Sequence, residues 1–277
     1  MKKSSMQNEL SGKQSYRIPV PFLWAGCLLS FLAVSGILQA AKVDKIAAGG
    51  SHSLILKTDG SLWAVGSNSN GQLGDGTQID RNVPIKIQSS GVTEIAAGEN
   101  HSLYIKSDGS NKELWGMGSN GNGQLGNISV SDQNFSILID SVTISSGDLF
   151  QVSADGNHTL YLKSELSTVQ LRGMGASAYG QLGNFDHNVT TPRTIDSDIG
   201  AEANKSSIKI ATGDNHSMYL EDNGSLWVLG KNNQGQLGDG TDTNKSTAVM
   251  IEPSGVTDIS AGENHSLYIK NGKLWAM

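Results

Sequence analysis

Five histidines recur along the chain and are the side chains best suited to carry chemistry. They follow one another at spacings of 49, 57, 58 and 49 residues, at positions His52, His101, His158, His216 and His265. Neutral imidazole is the commonest protein ligand for zinc. Equivalent residues of successive repeats lie on different structural units, however, and metal ligands must converge to within about 2.1 Å of one ion. We therefore expect no metal site and predict that each histidine is buried and hydrogen-bonded to the backbone of its own turn.

Four tryptophans and four glutamines recur in the same register as the histidines. They are Trp63, Trp115, Trp227 and Trp275, and Gln72, Gln124, Gln181 and Gln236. An exposed ring of tryptophans could stack on carbohydrate, but a large aromatic side chain buries about 150–250 Å² when it lies inside. We predict that each tryptophan fills the gap between neighbouring units. Each glutamine stands in a Gly-Gln-Leu-Gly phrase, where its amide can bond backbone groups, so these loops are predicted to be structural.

Polar loops follow these phrases and suggest two kinds of binding. Asp75-Gly76-Thr77 and Asp239-Gly240-Thr241-Asp242 resemble the oxygen-rich loops of calcium sites. They lack the Asp-x-Asp-x-Asp-Gly…Glu spacing that supplies six or more oxygens, so we expect no calcium. Six asparagines of the same loops are instead predicted to be accessible contact residues for a partner: Asn68, Asn70, Asn120, Asn122, Asn232 and Asn233.

Sequence motifs for catalysis are absent. The chain contains no Gly-x-Ser-x-Gly elbow, no Gly-x-x-x-x-Gly-Lys phosphate loop and no His-Glu-x-x-His pair. Its polar residues repeat because the units repeat, whereas a catalytic centre needs dissimilar groups placed together. We therefore predict a non-enzymatic protein without a cofactor.

The elements that position these residues are short β-strands. In the first repeat the strand signals cover residues 43–48, 53–57, 62–66 and 84–87, and Asp59-Gly60 predicts a type I′ turn between the second and third strands. The second strand is apolar at three consecutive positions, as in Leu54-Ile55-Leu56. Alternation is absent, so both faces of each sheet are predicted to be covered. Radial stacking of four-stranded meanders around an axis meets that need, and it predicts an all-β propeller.

The repeated phrases also identify a family. Ala-Gly-x-x-His-Ser-Leu, Asp-Gly-Ser-Leu-Trp-x-x-Gly-x-Asn and Gly-Gln-Leu-Gly-Asp-Gly-Thr resemble the regulator of chromosome condensation (RCC-type) repeat in its bacterial form, over residues 43–277. The resemblance implies a propeller, usually of seven blades. Four repeats are complete here, at about residues 43–90, 91–145, 146–204 and 205–253, and a fifth is partial at 254–277. We expect an open or incomplete ring and a fragment of a longer product.

The third repeat departs from the others. Residues 127–150 include an extra stretch that we interpret as an interaction loop, and Arg172 stands where the other repeats have tryptophan. We predict that this blade is the least regular of the set.

Residues 1–41 are typical of a targeting segment rather than of the propeller domain, which we place at 42–277. A basic stretch ends at Arg17, an apolar run covers residues 22–38 and small residues follow. The segment predicts a signal peptide or an N-terminal apolar helix that anchors the chain, and thus a secreted, periplasmic or cell-surface protein whose only membrane contact is this segment. The sole cysteine, Cys27, lies within it.

Charge narrows the class of partner. The chain has 20 Lys and Arg against 26 Asp and Glu, and four of those bases and one acid precede residue 41, which leaves a net charge of −9 for the rest. This balance argues against a nucleic-acid partner. We predict a protein-interaction scaffold, for instance an inhibitor of an extracellular enzyme, since the family includes such an inhibitor. The alternatives are guanine-nucleotide exchange on a small GTPase, which the resemblance also implies, and a glycan-binding or enzymatic propeller.

Overall fold

The computed structural model describes residues 41–143, 147–165, 167–201 and 204–277, and these residues form nineteen β-strands. The predicted leader, its apolar helix and Cys27 therefore lie outside the described residues, apart from Ala41. In the described part of the chain, no helix has the length and hydropathy needed to span a membrane.

The strands form five antiparallel meanders in chain order, which we call blades 1 to 5. Blade 1 contains β1 (Val43–Ala48), β2 (His52–Lys57), β3 (Leu62–Gly66) and β4 (Arg81–Gln88). Blade 2 contains β5 (Val92–Ala97), β6 (His101–Ser107), β7 (Asn111–Gly118) and β8 (Gln133–Thr143). Blade 3 contains β9 (Gly147–Asp155), β10 (His158–Glu165), β11 (Thr168–Ala176) and β12 (Asn188–Asp196). Blade 4 contains β13 (Lys209–Thr212), β14 (His216–Leu220), β15 (Leu226–Gly230) and β16 (Lys245–Glu252). Blade 5 contains β17 (Val256–Ala261), β18 (Ser266–Lys270) and β19 (Lys273–Ala276).

The blades pack face to face through hydrophobic cores. In the first of these cores, Leu54 and Leu56 of blade 1 meet Ile95 and Tyr104 of blade 2. Equivalent cores join blades 2 and 3, blades 3 and 4, and blades 4 and 5. The first strands of successive blades also contact one another, which places them at the axis of the arc. The all-β propeller with an open ring is therefore confirmed.

The burial pattern of the second strand shows whether one face or both faces of a blade are covered. Every residue from His216 to Leu220 in β14 is buried, because blade 4 has a neighbour on both sides. In β2 the burial alternates, with Leu54 and Leu56 buried and Ile55 partly exposed. Blade 1 thus has one covered face, and the three-residue apolar pattern correctly predicted two covered faces for the inner blades.

The predicted strand bounds and turns need three corrections. β4 is longer than predicted because it begins at Arg81. The turn at Asp59-Gly60 is not type I′, because only Gly60 has a positive φ, of 75°. The Oδ1 of Asp59 accepts the backbone N–H of Ser61 at 2.9 Å, which holds the four-residue connection 58–61 instead. The expected interaction loop before blade 3 is mostly strand, since β8 extends over eleven residues.

Candidate functional site

The repeated histidines connect adjacent blades. His52 Nε2 lies 2.8 Å from the Oγ of Ser102 in blade 2, and that hydroxyl donates to the backbone carbonyl of Gln72 in blade 1 at 2.7 Å. The same arrangement joins His101, Thr159 and Gln124 (3.0 and 2.9 Å), His158, Ser217 and Gln181 (3.1 and 2.8 Å), and His216, Ser266 and Gln236 (2.8 and 2.8 Å). Because the hydroxyl gives its only proton to the carbonyl, it must accept from the histidine, so each Nε2 carries hydrogen.

This geometry corrects the predicted partner of the histidines. The ring nitrogen Nε2 bonds a hydroxyl of the next blade rather than the backbone of its own turn. Burial lowers the pKa of His52 and His216 to about 4 and that of His101 and His158 to about 3, so these rings are neutral at pH 7. His265 is exposed, since none of the five blades that the structure describes covers its side of blade 5.

Metal binding finds no support in this arrangement. Among the residues that the structure describes, no three His, Cys, Asp or Glu side chains are grouped so that they could hold a metal ion. The oxygens of the two candidate calcium loops are already engaged: Asp75 accepts from Thr77 and Arg81, and Asp239 from Thr241 and Lys245. Desolvation raises the pKa of Asp75, but these hydrogen bonds outweigh it and lower the pKa to about 2.

Three of the six asparagines predicted to contact a partner are buried, which corrects the expectation that they are accessible. Asn68 accepts the backbone N–H of Leu73 at 2.9 Å and donates to the carbonyl of Thr77 at 3.0 Å, so its side chain holds the loop from inside. Asn120 and Asn232 do the same for their loops. The amide has donors and an acceptor on one short side chain, and the loop folds around it to satisfy both.

The other three asparagines remain at the surface, whereas the glutamines are buried. Asn70 and Asn122 are half-buried, and Asn233 is exposed. Asn70 donates to Asp132 of the neighbouring loop at 2.8 Å. The side-chain carbonyl of each buried glutamine accepts a backbone N–H two residues earlier, as Gln124 does from Asn122 at 3.0 Å.

Three of the four repeated tryptophans lie beside tyrosines on the face turned toward the preceding blade. Trp115 stacks on Tyr104 with ring centroids 6.4 Å apart, and it packs against the core shared by blades 1 and 2. Trp227 packs in the same way on the core of blades 3 and 4, and Trp275 stacks on Tyr268 but is half-exposed. Trp63 of blade 1 lies on an uncovered face, with Lys57 Nζ 4.0 Å from its ring centroid.

A second set of polar contacts joins the blades near the end of each fourth strand. Tyr161 donates to Asp140 of blade 2 at 2.8 Å, and Tyr219 and Tyr268 donate to Asp196 and Glu252 in the same way. In blade 3, Arg172 replaces tryptophan and its guanidinium bonds the same Asp140 at 3.0 Å. Arg172, which stands where the other repeats have tryptophan, therefore forms an ion pair in place of an aromatic contact.

An acidic cavity lies on the axis, lined by the loops between the first and second strands. Its volume is about 570 Å³, and its lining includes Glu99, Asp155, Asp214 and Glu263. Burial and the neighbouring carboxylates raise the pKa of Asp155 and Asp214. The sequence contained a signal for this cavity that the prediction missed. Three of these acids, Glu99, Asp214 and Glu263, each stand two residues before a repeated histidine.

Comparison with known proteins agrees with this geometry. A family model of the regulator of chromosome condensation (RCC1) repeat matches residues 59–105 and 223–269, and a second model of that repeat matches residues 43–72, 92–124 and 208–236. The chain belongs to the RCC1 repeat family. The Arabidopsis thaliana ultraviolet-B receptor UVR8 is 31% identical over 236 residues, which cover 84% of this RCC1-repeat chain and 52% of the receptor. The human probable E3 ubiquitin-protein ligase HERC6 is 28% identical over 83% of the chain and 22% of the ligase.

Solved structures show the same propeller. Prp20p from Saccharomyces cerevisiae, described with its binding to Gsp1p and histones, superposes with a TM-score of 0.69 at 19% identity, over 83% of this chain and 57% of Prp20p. Yeast RCC1 (Prp20) bound to Kap60 gives a TM-score of 0.67 at 26% identity, over 85% and 55% of the two chains. The RCC1-repeat chain thus spans about half the length of UVR8 and Prp20p. RCC1-type propellers mediate protein interactions, as these descriptions state for Prp20p.

Proposed function

We propose that this chain is a non-enzymatic interaction scaffold that binds a protein partner through one face of its blades. In an antiparallel meander, the connection between the first and second strands and that between the third and fourth lie at the same edge. We call this edge of the blades the loop face. Its longer loops are held from inside by Asn68, Asn120, Ser177 and Asn232, so their outer residues are presented on a fixed frame.

The observation that carries the proposal is a set of exposed apolar side chains on these loops. Each of the first three Gly-Gln-Leu-Gly loops contributes at least one of them: Ile79, Ile128, Val130, Tyr179 and Phe185. Large apolar side chains on an ordered surface favour a protein-binding surface, and aromatic residues are enriched in such interfaces. These five residues replace the buried asparagines as the proposed contacts.

The charge of the loop face favours a partner with a basic surface. Asp80, Asp132 and Asp186 are exposed on the same three loops, and Glu99 and Glu263 are exposed around the axial cavity. Complementary charge accelerates association and selects among partners.

A crosslinking experiment with matched variants tests this surface. The tagged full chain is crosslinked in the cells that produce it, and bound proteins are identified by mass spectrometry. The double variant Tyr179→Ser/Phe185→Ser should recover at least tenfold less of a specific partner than the wild type. The control is Met250→Ser, because Met250 is exposed on β16 and not on a loop of the loop face. Equal recovery by the two variants contradicts the proposal, and acceleration of guanine-nucleotide release from a small GTPase would support the exchange-factor alternative.

We further propose that the chain acts outside the cytoplasm, as an exported or surface-held protein. The support is the sequence pattern of residues 1–41, and inhibition of an extracellular enzyme is one concrete form of the function. Cell fractionation and sequencing of the mature N-terminus test it. Export predicts recovery outside the cytoplasm, and recovery from the cytoplasm with an intact Met1 contradicts it.

A further inference from the structure

A cleft of about 450 Å³ lies between blades 1 and 2, beside the fourth strand of blade 1, and its volume is typical of small-molecule sites. Both blades have four strands in the structure. Six of the lining residues decide what the cleft can bind: Ile87 and Gln88 of blade 1, and Tyr104, Lys106, Trp115 and Phe135 of blade 2.

Two of these residues depart from the repeat. The strand register shows that each of the other three described fourth strands has a carboxylate at the position of Gln88: Asp140, Asp196 and Glu252. Phe135, five residues before Asp140, corresponds to Val83, Thr191 and Thr247. A residue that differs at one junction is not required by the packing that all junctions share. Both departures line the same cleft, which indicates a local role for it.

At the other junctions the carboxylate binds side chains of the following blade. It accepts from a tyrosine hydroxyl and a lysine ammonium at two of them: Tyr161 and Lys163 donate to Asp140 at 2.8 and 3.0 Å, and Tyr268 and Lys270 donate to Glu252. At the junction of blades 3 and 4 the tyrosine is kept, and Glu221 stands in the position of the lysine. Blade 2 carries both donors, as Tyr104 and Lys106, but blade 1 offers them an amide.

Gln88 leaves the charge of Lys106 without a counterion. Its Oε1 lies 3.4 Å from Lys106 Nζ, and its Nε2 donates to the Tyr104 hydroxyl at 3.1 Å. The amide nitrogen carries two hydrogens, so one of them is available to another acceptor. Lys106 is half-buried, and a partly buried ammonium is stabilised by an anion that accepts its hydrogen. The cleft therefore presents two donors, Lys106 and Gln88, to a negative group.

The carboxylates beside the cleft do not supply that anion. Asp75 accepts two guanidinium hydrogen bonds from Arg81. Glu113 lies opposite Lys106 in the strand register, but it accepts the indole N–H of Trp115 at 3.0 Å. In the part of the chain that the structure describes, neither acid forms an ion pair with Lys106. The carboxylate that completes the other junctions is therefore not replaced from within blades 1 and 2.

Apolar and aromatic groups lie beside these donors. Trp115 stacks on Tyr104, and Ile87 lines the wall formed by blade 1. Phe135 is 64% exposed and lies against Gly76 of blade 1, where a Cβ atom would come within 2.4 Å of the ring. An apolar or aromatic part of a ligand would therefore contact both blades, next to the two donors.

We propose that this cleft binds a ligand in which a carboxylate is joined to an apolar or aromatic group. The carboxylate takes the place that Asp140 has between blades 2 and 3, and it accepts from Lys106 and Gln88. The remainder of the ligand packs against Trp115 and Phe135. A free organic acid and an acidic side chain of a protein segment both carry this chemistry, and separate arms of the experiment distinguish them.

A calorimetric titration of the full chain tests the site. The probes are 3-phenylpropionate and the blocked dipeptide N-acetyl-Phe-Glu-amide, each paired with its uncharged amide counterpart. At least one of the two acids should bind saturably, and its amide counterpart should bind at least about tenfold more weakly, because it lacks a charged acceptor for Lys106. Binding of 3-phenylpropionate shows that a free organic acid suffices, and binding of the dipeptide alone assigns the carboxylate to a protein segment.

Three variants locate the binding. Gln88→Glu supplies a carboxylate from within the chain, as Glu252 does beside Lys270. Lys106→Gln removes the cation, and each of these two changes should weaken binding of the acid by at least about tenfold. Lys270→Gln, at the same position of blade 5, is the matched control and should leave the affinity unchanged.

Urea unfolding verifies that each variant is folded. Gln88→Glu rebuilds a pairing already present in the chain, so it keeps the test valid even if Lys106→Gln fails to fold. The proposal is overturned if neither acid binds saturably at millimolar concentration, or if an acid and its amide counterpart bind equally well. Wild-type affinity in Gln88→Glu also overturns it, because the bound carboxylate would then lie elsewhere.

Discussion

The Nε2–H of His101 donates to the Oγ1 of Thr159, which lies 58 residues later in the chain and in the next blade, at 3.0 Å. The same hydroxyl donates to the carbonyl of Gln124 at 2.9 Å, so one threonine ties two segments of blade 2 to blade 3.

Thr159→Val should destabilise the propeller. Valine keeps the shape but leaves the imidazole N–H and the glutamine carbonyl buried without a partner, which lowers the free energy of unfolding by about 1–3 kcal/mol. Urea unfolding measures the change. Thr191→Val, at an exposed position of β12, is the control and should shift the midpoint little. Similar midpoints for the two variants would show that the hydroxyl does not stabilise the junction.

Acidification should weaken the fold well before the carboxylates of the candidate calcium loops titrate. The pKa of the buried histidines is about 3 to 4 in the folded chain and about 6.5 when unfolded. Between those values the unfolded state binds more protons, so the free energy of unfolding falls as the pH falls from 6.5 toward 4, by up to about 1.4 kcal/mol per pH unit for each histidine. The raised pKa of Asp155 and Asp214 acts in the opposite direction, above the ordinary aspartate pKa of 3.8.

Urea midpoints at pH 7 and pH 5 measure this dependence. His101→Gln removes one titrating ring and should reduce the difference between the two midpoints, whatever its effect at pH 7. An undiminished difference would assign the pH dependence to other groups.

Asn120 and Asn122 offer a matched pair within one loop. Asn120→Ala should lower the free energy of unfolding by about 1–3 kcal/mol, because the buried N–H of Leu125 loses its acceptor. Hydrogen exchange at that amide should accelerate. Asn122→Ala alters a half-buried side chain and should change stability by less than about 0.5 kcal/mol. The reverse order of effects would refute the inner role given to Asn120.

Asp140→Asn tests the ion pair that replaces a tryptophan contact in blade 3. Asp140 accepts from Tyr161, Lys163 and Arg172, and the amide would present a donor to two cations. We expect a loss of about 1–3 kcal/mol in the free energy of unfolding, measured by urea. Asp44→Asn, at an exposed position of β1, is the control. Equal stability of the two variants would show that this cluster contributes nothing.

The sequence predicted the blades well because their signals are local. Leu54-Ile55-Leu56 and its four copies mark the strand within three residues, and in the inner blades they also mark its two covered faces. The histidine contact was wrong for the opposite reason: Ser102 follows a histidine in the repeated phrase, but its bond to His52 depends on the register between two sheets, which no local pattern contains.

The exposed apolar residues of the loops were not predicted as partner contacts, because the prediction was based on residues that recur in every repeat. Asn68, Asn120 and Asn232 recur because the side-chain amide of each holds its loop from inside, so recurrence indicated structure rather than binding. Ile79, Tyr179 and Phe185 differ from loop to loop and have no repeating signal. Their exposure depends on the conformation of each loop, which no repeated pattern encodes.

The bond from each histidine to the hydroxyl of the following blade has a consequence for how such chains evolve. Both groups occur in every repeat, so a duplicated gene segment encoding one repeat brings a donor for its successor and an acceptor for its predecessor. Insertion or loss of a whole repeat therefore restores a complete set of these histidine–hydroxyl bonds without any compensating substitution.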